Sequence, residues 1–329
     1  MATVITNLIS AIPWIGQDVV EFIKSLDLNY FILFLASWFN IYKNGIYNVA
    51  SLPIIGVTNT RRRAEPKLKR LSKAEYLDIP KSFLAFLVGF IDGDGYIGIR
   101  KSYKDSISIH LTLSVHLDDI SILNYIQSVL KLGKIYYYPV RKSPTARLII
   151  SRLELQEVLF PLFIQSGFFF LTNNRRGQYF RAMHIFKNDI TKYTELPTVA
   201  MVTPELTSTA LEYSNIPFFK DWIVGFTCAE GSFFIKENND GCFQFKQKLH
   251  PILFEALKLV FKTNHKITVN KEHSQFGVSS KSDIQTVINF FSFSGHHSLV
   301  GLKSIQYSAW LAKLRCSKRY KNLKYPDLI

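Results

Sequence analysis

Residues 82–95 read SFLAFLVGFIDGDG, and residues 219–231 read FKDWIVGFTCAEG. In both stretches apolar residues recur at helical spacing, and each stretch ends in an acid, Asp94 or Glu230, followed by glycine. Ser82 is the predicted N-cap of the first helix. One apolar helix with such an ending is typical of an ordinary helix C-terminus. Two copies with matched acids indicate a duplicated unit around which the chain is organised.

Small residues lie four positions apart in both stretches, as Gly89 with Gly93 and as Gly225 with Ala229. Such a strip lets two helix backbones approach closely through van der Waals contact. If the helices cross side by side, the two acids meet where the last backbone carbonyls point. Paired carboxylates there repel unless a cation lies between them, and oxygen ligands favour a hard divalent ion such as Mg²⁺.

The two stretches resemble the motif of the LAGLIDADG homing endonucleases, in the single-chain form that carries two motifs. Residues 87–95, LVGFIDGDG, match the motif closely. Residues 223–231, IVGFTCAEG, match more loosely but keep Gly225, Phe226, the acid and the last glycine. The resemblance covers residues 80–329 and implies an α+β fold in which two pseudo-symmetric αββαββα domains form a DNA-binding saddle.

The resemblance also implies a metal site and catalytic residues. The expected metal ligands, for Mg²⁺ or Mn²⁺, are Asp94, Glu230, Gly93 and Ala229. A basic residue near the scissile phosphates falls at Lys303, within the closing stretch GLKSIQYSAWLAKLR.

The register of the two repeats suggests further catalytic candidates. Gln306-Tyr307 repeats Gln178-Tyr179, so Lys303 falls opposite Arg175, or opposite Asn174 after a shift of one residue. Gln247 corresponds to a polar family residue that orders solvent around the metal. His116, opposite Gln247, departs from the expected amide, and a surface role for it is an equal alternative.

After each motif the apolar period changes from helical to alternating, which predicts strands. In residues 105–116, DSISIHLTLSVH, isoleucine and leucine face inward while small polar side chains face outward. Such an outward row suits base edges in a major groove, whereas a solvated sheet face usually carries more Glu and Lys. DNA contacts are predicted for the following residues: Arg100, Lys101, Lys104, Ser108, His110, Thr112, Arg141, Lys142, Arg147, Lys236, Gln244, Lys246, Lys248 and Lys266.

The remaining pattern predicts the same order of elements in both repeats. Helices are expected over 120–131 and 251–262 and from 153 and 282 onward, with strands at 134–140, 146–151, 232–236, 242–248, 266–270 and 275–279.

The chain of 329 residues carries a formal charge of +15 and is 47% hydrophobic. This balance indicates a folded chain with an anionic partner, for which nucleic acid is the first candidate and an anionic membrane the second. The three cysteines, Cys228, Cys242 and Cys316, show no paired spacing. The pattern therefore suggests neither a disulfide framework nor a zinc site, and it predicts reduced thiols.

Residues 2–24 resemble an internal stretch of mitochondrial cytochrome b around SAIPWIG at 10–16. A nuclease continuing in frame from a cytochrome b exon is expected of an intron-encoded protein, which predicts a mitochondrial location. Residues 30–39, YFILFLASWF, are too short to span a membrane. The alternatives for them are a membrane contact, a signal-like segment and intron read-through.

The predicted domains are an N-terminal extension over 1–70, ending in the basic segment RRRAEPKLKR, and two LAGLIDADG domains over 80–195 and 196–329. The implied function is a monomeric DNA endonuclease that is encoded by a mitochondrial group I intron and cuts a long, asymmetric double-stranded site. The alternative is a maturase that binds its own group I intron RNA and assists splicing. The presence of both motif acids favours the nuclease, although the two activities can coexist.

Overall fold

In a computed structural model of the protein, residues 68–139, 142–197, 206, 209–248, 250–269 and 273–327 are described. The cytochrome b-like stretch, the apolar run and most of the basic segment lie outside these residues, as does Arg141. Within the described residues, no helix is long and apolar enough to cross a membrane.

The first repeat, here called the first half, follows a short leading helix. Its elements in chain order, including that helix, are α1 (Lys73–Leu77), α2 (Lys81–Asp94), β1 (Gly95–Lys101), β2 (Ile107–His116), α3 (Ile120–Leu130), β3 (Lys134–Tyr138), β4 (Thr145–Ser151), α4 (Arg152–Glu154), a π turn (Leu155–Leu159), α5 (Phe160–Ser166) and α6 (Asn173–Lys187).

The second half repeats this order after another short helix. Its elements, including that helix, are α7 (Ala210–Ser214), α8 (Phe219–Glu230), β5 (Gly231–Ile235), β6 (Gly241–Lys248), α9 (Pro251–Phe261), β7 (Thr268–Val269), β8 (His273–Val278), α10 (Lys281–Phe293) and α11 (Leu302–Cys316). The two four-stranded sheets have matching antiparallel orders, β1-β2-β4-β3 and β5-β6-β8-β7. The predicted α+β fold of two αββαββα halves is confirmed.

Several element boundaries differ from the sequence prediction. Helix α2 begins at Lys81 after Pro80, so Ser82 lies inside the first turn and is not the N-cap. Helices α3 and α9 each end one residue early, because Lys131 and Lys262 adopt left-handed backbone conformations. The fixed φ of proline favours the start of a helix, and a residue in the left-handed conformation ends the helical hydrogen-bond pattern. Local backbone geometry therefore determined these helix ends.

Strand β7 is also shorter than predicted. It covers two residues, Thr268–Val269, whereas the alternation suggested a strand from 266. Strand β8 conversely begins at His273, two residues before the predicted start. Lys266 therefore lies exposed ahead of the sheet rather than within it.

The two motif helices, α2 and α8, cross in direct backbone contact. A Cβ added at Gly89 would lie 2.0 Å from the Trp222 carbonyl oxygen, and one at Gly225 would lie 1.8 Å from the Phe86 carbonyl oxygen. Farther along, a Cβ at Gly93 would lie 2.3 Å from the Ala229 Cβ. The predicted strip of small residues is thus the surface on which the helices meet, and it brings their acidic ends together.

Each sheet has one buried and one partly exposed face. Along β2 burial alternates strictly from Ile107 to Val115, with the isoleucine, leucine and valine side chains in the core. In β6, Phe243 and Phe245 are fully buried, each of which contributes about 1.5–3 kcal/mol of hydrophobic stabilisation. The predicted inward and outward sides are confirmed, because the outward side chains of β2, and Gln244, Lys246 and Lys248 of β6, are at least partly exposed.

Candidate active site and nucleic-acid face

Asp94 and Glu230 are the last residues of α2 and α8, so the helix crossing places the two carboxylates beside each other. Burial, and then the charge of Glu230, raises the pKa of Asp94 to about 7. Burial likewise raises the pKa of Glu230. Two partly desolvated carboxylates within Coulombic range form a centre of negative potential that a cation would stabilise.

Lys303 lies in the first turn of α11 and reaches this acidic centre. Its Nζ donates to the Gly231 carbonyl oxygen at 2.5 Å and to Gln306 Oε1 at 3.1 Å. Burial lowers the pKa of Lys303, while nearby Asp119 and both motif acids favour the charged form. The side chain is therefore held at the edge of the acids by its bond to the last residue of the second motif.

Arg175 occupies the corresponding place on α6, but it is 4% exposed. Its Nε donates to the Ile91 carbonyl oxygen at 2.9 Å, and its Nη1 donates to Gln178 Oε1 at 2.6 Å. Burial lowers the pKa of Arg175, and Asp92, Asp94 and Glu230 oppose that effect. Asn174, the sequence alternative, is exposed and accepts a bond from Gln178 Nε2 at 3.4 Å. Arg175 is thus buried within Coulombic range of both acids, whereas Asn174 is exposed to solvent.

The sequence register placed His116 opposite Gln247, but the strand pairing shifts that register by one residue. Gly95 pairs with Leu113 and Gly231 pairs with Phe245, so His116 matches Lys248 and Val115 matches Gln247. Gln247 Nε2 donates to Glu230 Oε1 at 2.7 Å, and its Oε1 accepts from the Lys248 amide at 2.7 Å. His116 Nδ1 instead lies 3.3 Å from Asp118 Oδ2 and lines a cavity beside Asp94. Gln247 therefore fixes the Glu230 carboxylate directly, and the two acids have different neighbours.

Asp92, the first acid of the motif, is a buried hydrogen-bond acceptor that links α2 to the loop before α6 and to α8. The sequence analysis assigned it no role. Its two oxygens accept from the Leu171 amide at 2.7 Å, the Thr172 amide at 3.2 Å, Thr172 Oγ1 at 2.7 Å and Trp222 Nε1 at 2.8 Å. Burial nevertheless raises the pKa of Asp92 to about 6. The sequence signal for this role was the position of an acid among the apolar residues of α2, because a buried acid needs hydrogen-bond donors around it.

Asp119 is a second residue that sequence reasoning missed. It follows β2 and shares the cavity beside Asp94 with His116, Cys228 and Lys303. Its Oδ1 accepts from the Leu302 amide at 2.7 Å across 183 positions of the chain. No local pattern predicts such a contact, because it depends on how the two halves meet.

The outward face of the first sheet carries several of the predicted DNA contacts. Tyr96, Arg100, Ser108, His110, Thr112 and Arg147 line one open concavity that extends to Asp94. The register pairs Arg100 with Ser108 and Tyr96 with Thr112. Arg147 pairs with Ser114, and its guanidinium lies 5.1 Å from the centre of the Tyr138 ring. Tyr96, Ser114 and Tyr138 belong to this face although the sequence analysis did not select them.

Other residues predicted to bind DNA lie around this concavity. Lys101 Nζ lies 2.9 Å from Asp105 Oδ1, so its charge is partly matched within the chain. Lys104 and Lys142 are exposed in the β1–β2 and β3–β4 connections, respectively. These three residues do not line the concavity and would reach only its surroundings.

In the second sheet, Gln244, Lys246 and Lys248 share the outward side of β6, as predicted. They pair with Gly277, Gln275 and His273 of β8. Gln275 Nε2 donates to Gln244 Oε1 at 3.2 Å, which adds an amide that the sequence analysis did not select. Lys236 lies just after β5, where its Nζ donates to Ser279 Oγ at 3.2 Å.

The residues at the helix crossing fit a hard divalent cation. Among the described residues, no group of three or more His, Cys, Asp or Glu side chains could enclose a metal ion. Mg²⁺ commonly binds to one or two carboxylates and completes its shell with water and phosphate oxygens. Asp94 and Glu230, together with the backbone carbonyls of Gly93 and Ala229, supply that kind of donor set.

Comparison with known structures identifies the class of fold. I-SmaMI bound to an uncleaved DNA target in the presence of calcium ions is 21% identical, with a TM-score of 0.58, over 71% of this chain and 91% of that one. I-CpaMI bound to uncleaved DNA is 20% identical, with a TM-score of 0.52, over 70% and 90% of the two chains. The described part of the chain has the fold of the LAGLIDADG meganucleases.

A sequence comparison agrees with this fold over part of the chain. The model of the family described as LAGLIDADG endonuclease matches residues 87–180. This range contains the first motif, for which the predicted resemblance to the LAGLIDADG endonucleases is confirmed.

A short N-terminal match supports the cytochrome b resemblance. Over 22 residues the chain is 96% identical to cytochrome b of Neurospora crassa and 91% identical to cytochrome b of Aspergillus terreus. The match covers 7% of this chain and 6% of the Neurospora protein. An exon-like segment at the N-terminus fits these matches.

Proposed function

We propose that the protein is a site-specific, metal-dependent DNA endonuclease of the homing type. The observation that carries this proposal is the meeting of Asp94 and Glu230 at the helix crossing, beside the cationic side chains of Lys303 and Arg175. The concavity of the first sheet extends from the polar side chains of Ser108, His110 and Thr112 to Asp94. A duplex seated on both sheets would therefore place its phosphates at the acids.

The side chains at the helix crossing have different roles in the proposed phosphodiester hydrolysis. Asp94 and Glu230 would hold a divalent cation, which when bound would supply Lewis-acid stabilisation of phosphate charge and favour attack by water. Gln247 orients the Glu230 carboxylate through its 2.7 Å bond. Lys303 places a positive charge where the phosphate gains negative charge in the transition state. Arg175, which is buried, offsets part of the negative charge of both acids.

The two sheets would supply position and sequence preference. Arg100 and Arg147 suit phosphate or guanine contacts, while Ser108, His110 and Thr112 present small polar groups to base edges. In the second half, Gln244 and Gln275 form an amide pair flanked by Lys246. Because the two outward faces carry different side chains, the target is a long, asymmetric double-stranded site read by one chain. The affinity for DNA should fall as the salt concentration rises, because binding releases counterions from the phosphates and this release is less favourable at high salt.

The N-terminal match supports an origin in a mitochondrial group I intron of a cytochrome b gene. A nuclease of this origin would recognise the gene without its intron, close to the junction that the intron occupies. The cytochrome b segment thus suggests both a mitochondrial location and a target for the first assay.

The test uses the full chain with Mg²⁺ and a plasmid that carries the intronless cytochrome b junction. We expect cleavage at one position, whereas a matched plasmid with the intron in place should remain uncut because its site is interrupted. If neither plasmid is cut and the protein binds the intron RNA tightly, the nuclease proposal fails and the maturase alternative replaces it.

Cleavage should also depend on pH. Because the pKa of Asp94 is raised to about 7, its carboxyl binds a proton below that pH and becomes a poor metal ligand. The rate should therefore fall as the pH is lowered through about 7, and additional Mg²⁺ should shift the midpoint downward. DNA binding measured over the same pH range is the control. A rate that stays constant down to about pH 5, near the ordinary range for a carboxyl, would contradict the prediction.

A further inference from the structure

The helices that carry the two basic residues begin in different ways. A helix leaves its first amide groups without partners, and a side-chain acceptor at the N-terminus fixes where the helix starts. In α6, Thr172 Oγ1 accepts from the Arg175 amide at 3.4 Å, and Asp92 in turn binds both the hydroxyl and the amide of Thr172. The motif acid thus positions Arg175 through Thr172.

Helix α11 lacks both parts of this arrangement. Cys228 stands at the sixth position of the second motif, where Asp92 stands in the first. Val300, which the repeat register places opposite Thr172, has no hydroxyl group. The N-cap residue is Gly301, which offers no side chain, and Cys228 Sγ lies 3.8 Å from the Val300 carbonyl oxygen.

Asp119, from the opposite half, supplies the missing acceptor. Its Oδ1 accepts from the Leu302 amide at 2.7 Å, one residue before Lys303. Gly301 permits this contact, because a Cβ there would lie 2.1 Å from Asp119 Oδ1. Its φ of 67° is also a conformation that favours glycine. The start of α11 is therefore shaped around a carboxylate that comes from the other half.

The same position in the second half does not repeat this contact. Asp119 is the residue immediately before α3, and His250 is the residue immediately before α9. His250 Nε2 lies 3.2 Å from the Leu171 carbonyl oxygen, whereas the amide groups of that loop bind Asp92. One closing helix is thus held by its own motif acid, and the other is held by an acid from across the pseudo-twofold.

We propose that Asp119 is a positioning residue that replaces the acid missing at Cys228 and holds Lys303 for one of the two strand cuts. The inference rests on the proposed nuclease function. Asp119 and Lys303 line one cavity together with Asp94, and neither Glu230 nor Gln247 lines that cavity. Loss of Asp119 should therefore impair the cut served by Asp94 more than the cut served by Glu230.

The first experiment compares Asp119→Ala with Asp119→Asn in the full chain, on target DNA with each strand labelled separately. Asp119→Ala removes the acceptor, so one strand should be cut at least about tenfold more slowly while the other keeps nearly its original rate. Asp119→Asn keeps an acceptor oxygen and should restore most of the slowed cut. Asp283→Ala, which removes an acid from the start of α10, is the control for general loss of a helix-start acid.

The second experiment moves the acid back to the motif. In the double variant Asp119→Ala with Cys228→Asp, a carboxylate at position 228 should restore the slowed cut to within about threefold of the original rate. Equal slowing of both strands by Asp119→Ala, in step with a lower melting temperature, would reduce Asp119 to a structural role. A folded double variant that cuts no better than Asp119→Ala would contradict the replacement of the motif acid.

Hydrogen exchange separates this inference from the nuclease proposal. Exchange at the Leu302 amide should accelerate in Asp119→Ala and stay slow in Asp119→Asn, whether or not the protein cuts DNA. Absence of cleavage by the unaltered chain would overturn the nuclease function. Unchanged exchange at Leu302 in Asp119→Ala would overturn the role of Asp119 itself.

Discussion

Replacing Asp94 with Asn, or Glu230 with Gln, should lower the rate of DNA cleavage by at least about 1000-fold. Each change removes one of the two charged oxygen donors at the helix crossing, and the remaining acid cannot hold the cation in the same position. Binding to the target should persist, because the sheet faces and not the acids supply the phosphate and base contacts. Single-turnover cleavage and a gel-shift titration measure the two effects separately.

Asp94→Asn should also make the folded protein more stable without metal. The raised pKa means that the folded state favours the protonated acid, so ionised Asp94 costs stability as the pH rises from its ordinary value of 3.8 to about 7. At about pH 8 in a chelator, removing the charge should add roughly 1–2 kcal/mol to the free energy of unfolding, after allowance for solvent screening. Thermal melting with and without Mg²⁺ would measure this gain.

Asp92→Asn is the matched control, two residues earlier on the same helix. Asp92 accepts four hydrogen bonds from Leu171, Thr172 and Trp222, and an amide has only one acceptor oxygen for those donors. This variant should lose about 2 kcal/mol or more of stability. If Asp94→Asn destabilised the protein as much as Asp92→Asn, the electrostatic strain assigned to Asp94 would be wrong.

The sequence predicted those parts of the fold that repeat locally. Helical spacing identified α2 and α8, strict alternation identified β2, and the strip from Gly89 to Gly93 predicted that the helices touch. These features depend on the period of side chains along one element, which a single sequence displays directly. The pairing of Asp94 with Glu230 followed from them, because both acids end helices that cross.

The parts that the sequence did not predict depend on contacts between distant segments. Asp119 meets Leu302 only because the two halves pack around the pseudo-twofold, and no spacing within β2 indicates it. Gln247 was expected near solvent at the metal, but it bonds Glu230 directly at the end of its strand. The burial of Arg175 beneath the acids likewise follows from how α6 packs, which helical periodicity alone does not determine.

Gly225→Ala should disrupt the helix crossing and cause the largest loss of stability among these variants. A Cβ at Gly225 would lie 1.8 Å from the Phe86 carbonyl oxygen and 2.9 Å from the Phe90 amide nitrogen. Both atoms belong to the backbone of α2, so no side-chain rotation relieves the overlap. Alanine favours a helix over glycine by about 1 kcal/mol, which is small compared with separating two packed helices. We expect a loss of at least about 4 kcal/mol, or failure to fold.

Gly277→Ala is the matched control, because the same added methyl group meets open space. The nearest atoms to a Cβ there are Gln244 Cγ at 3.9 Å and the Phe243 carbonyl oxygen at 4.0 Å, which are ordinary contacts. This variant should therefore unfold within about 1 kcal/mol of the original chain in a urea titration. Gly225→Ala should also abolish cleavage, since separating the helices moves Asp94 away from Glu230. Equal urea midpoints for the two variants would show that the helices do not meet at Gly225.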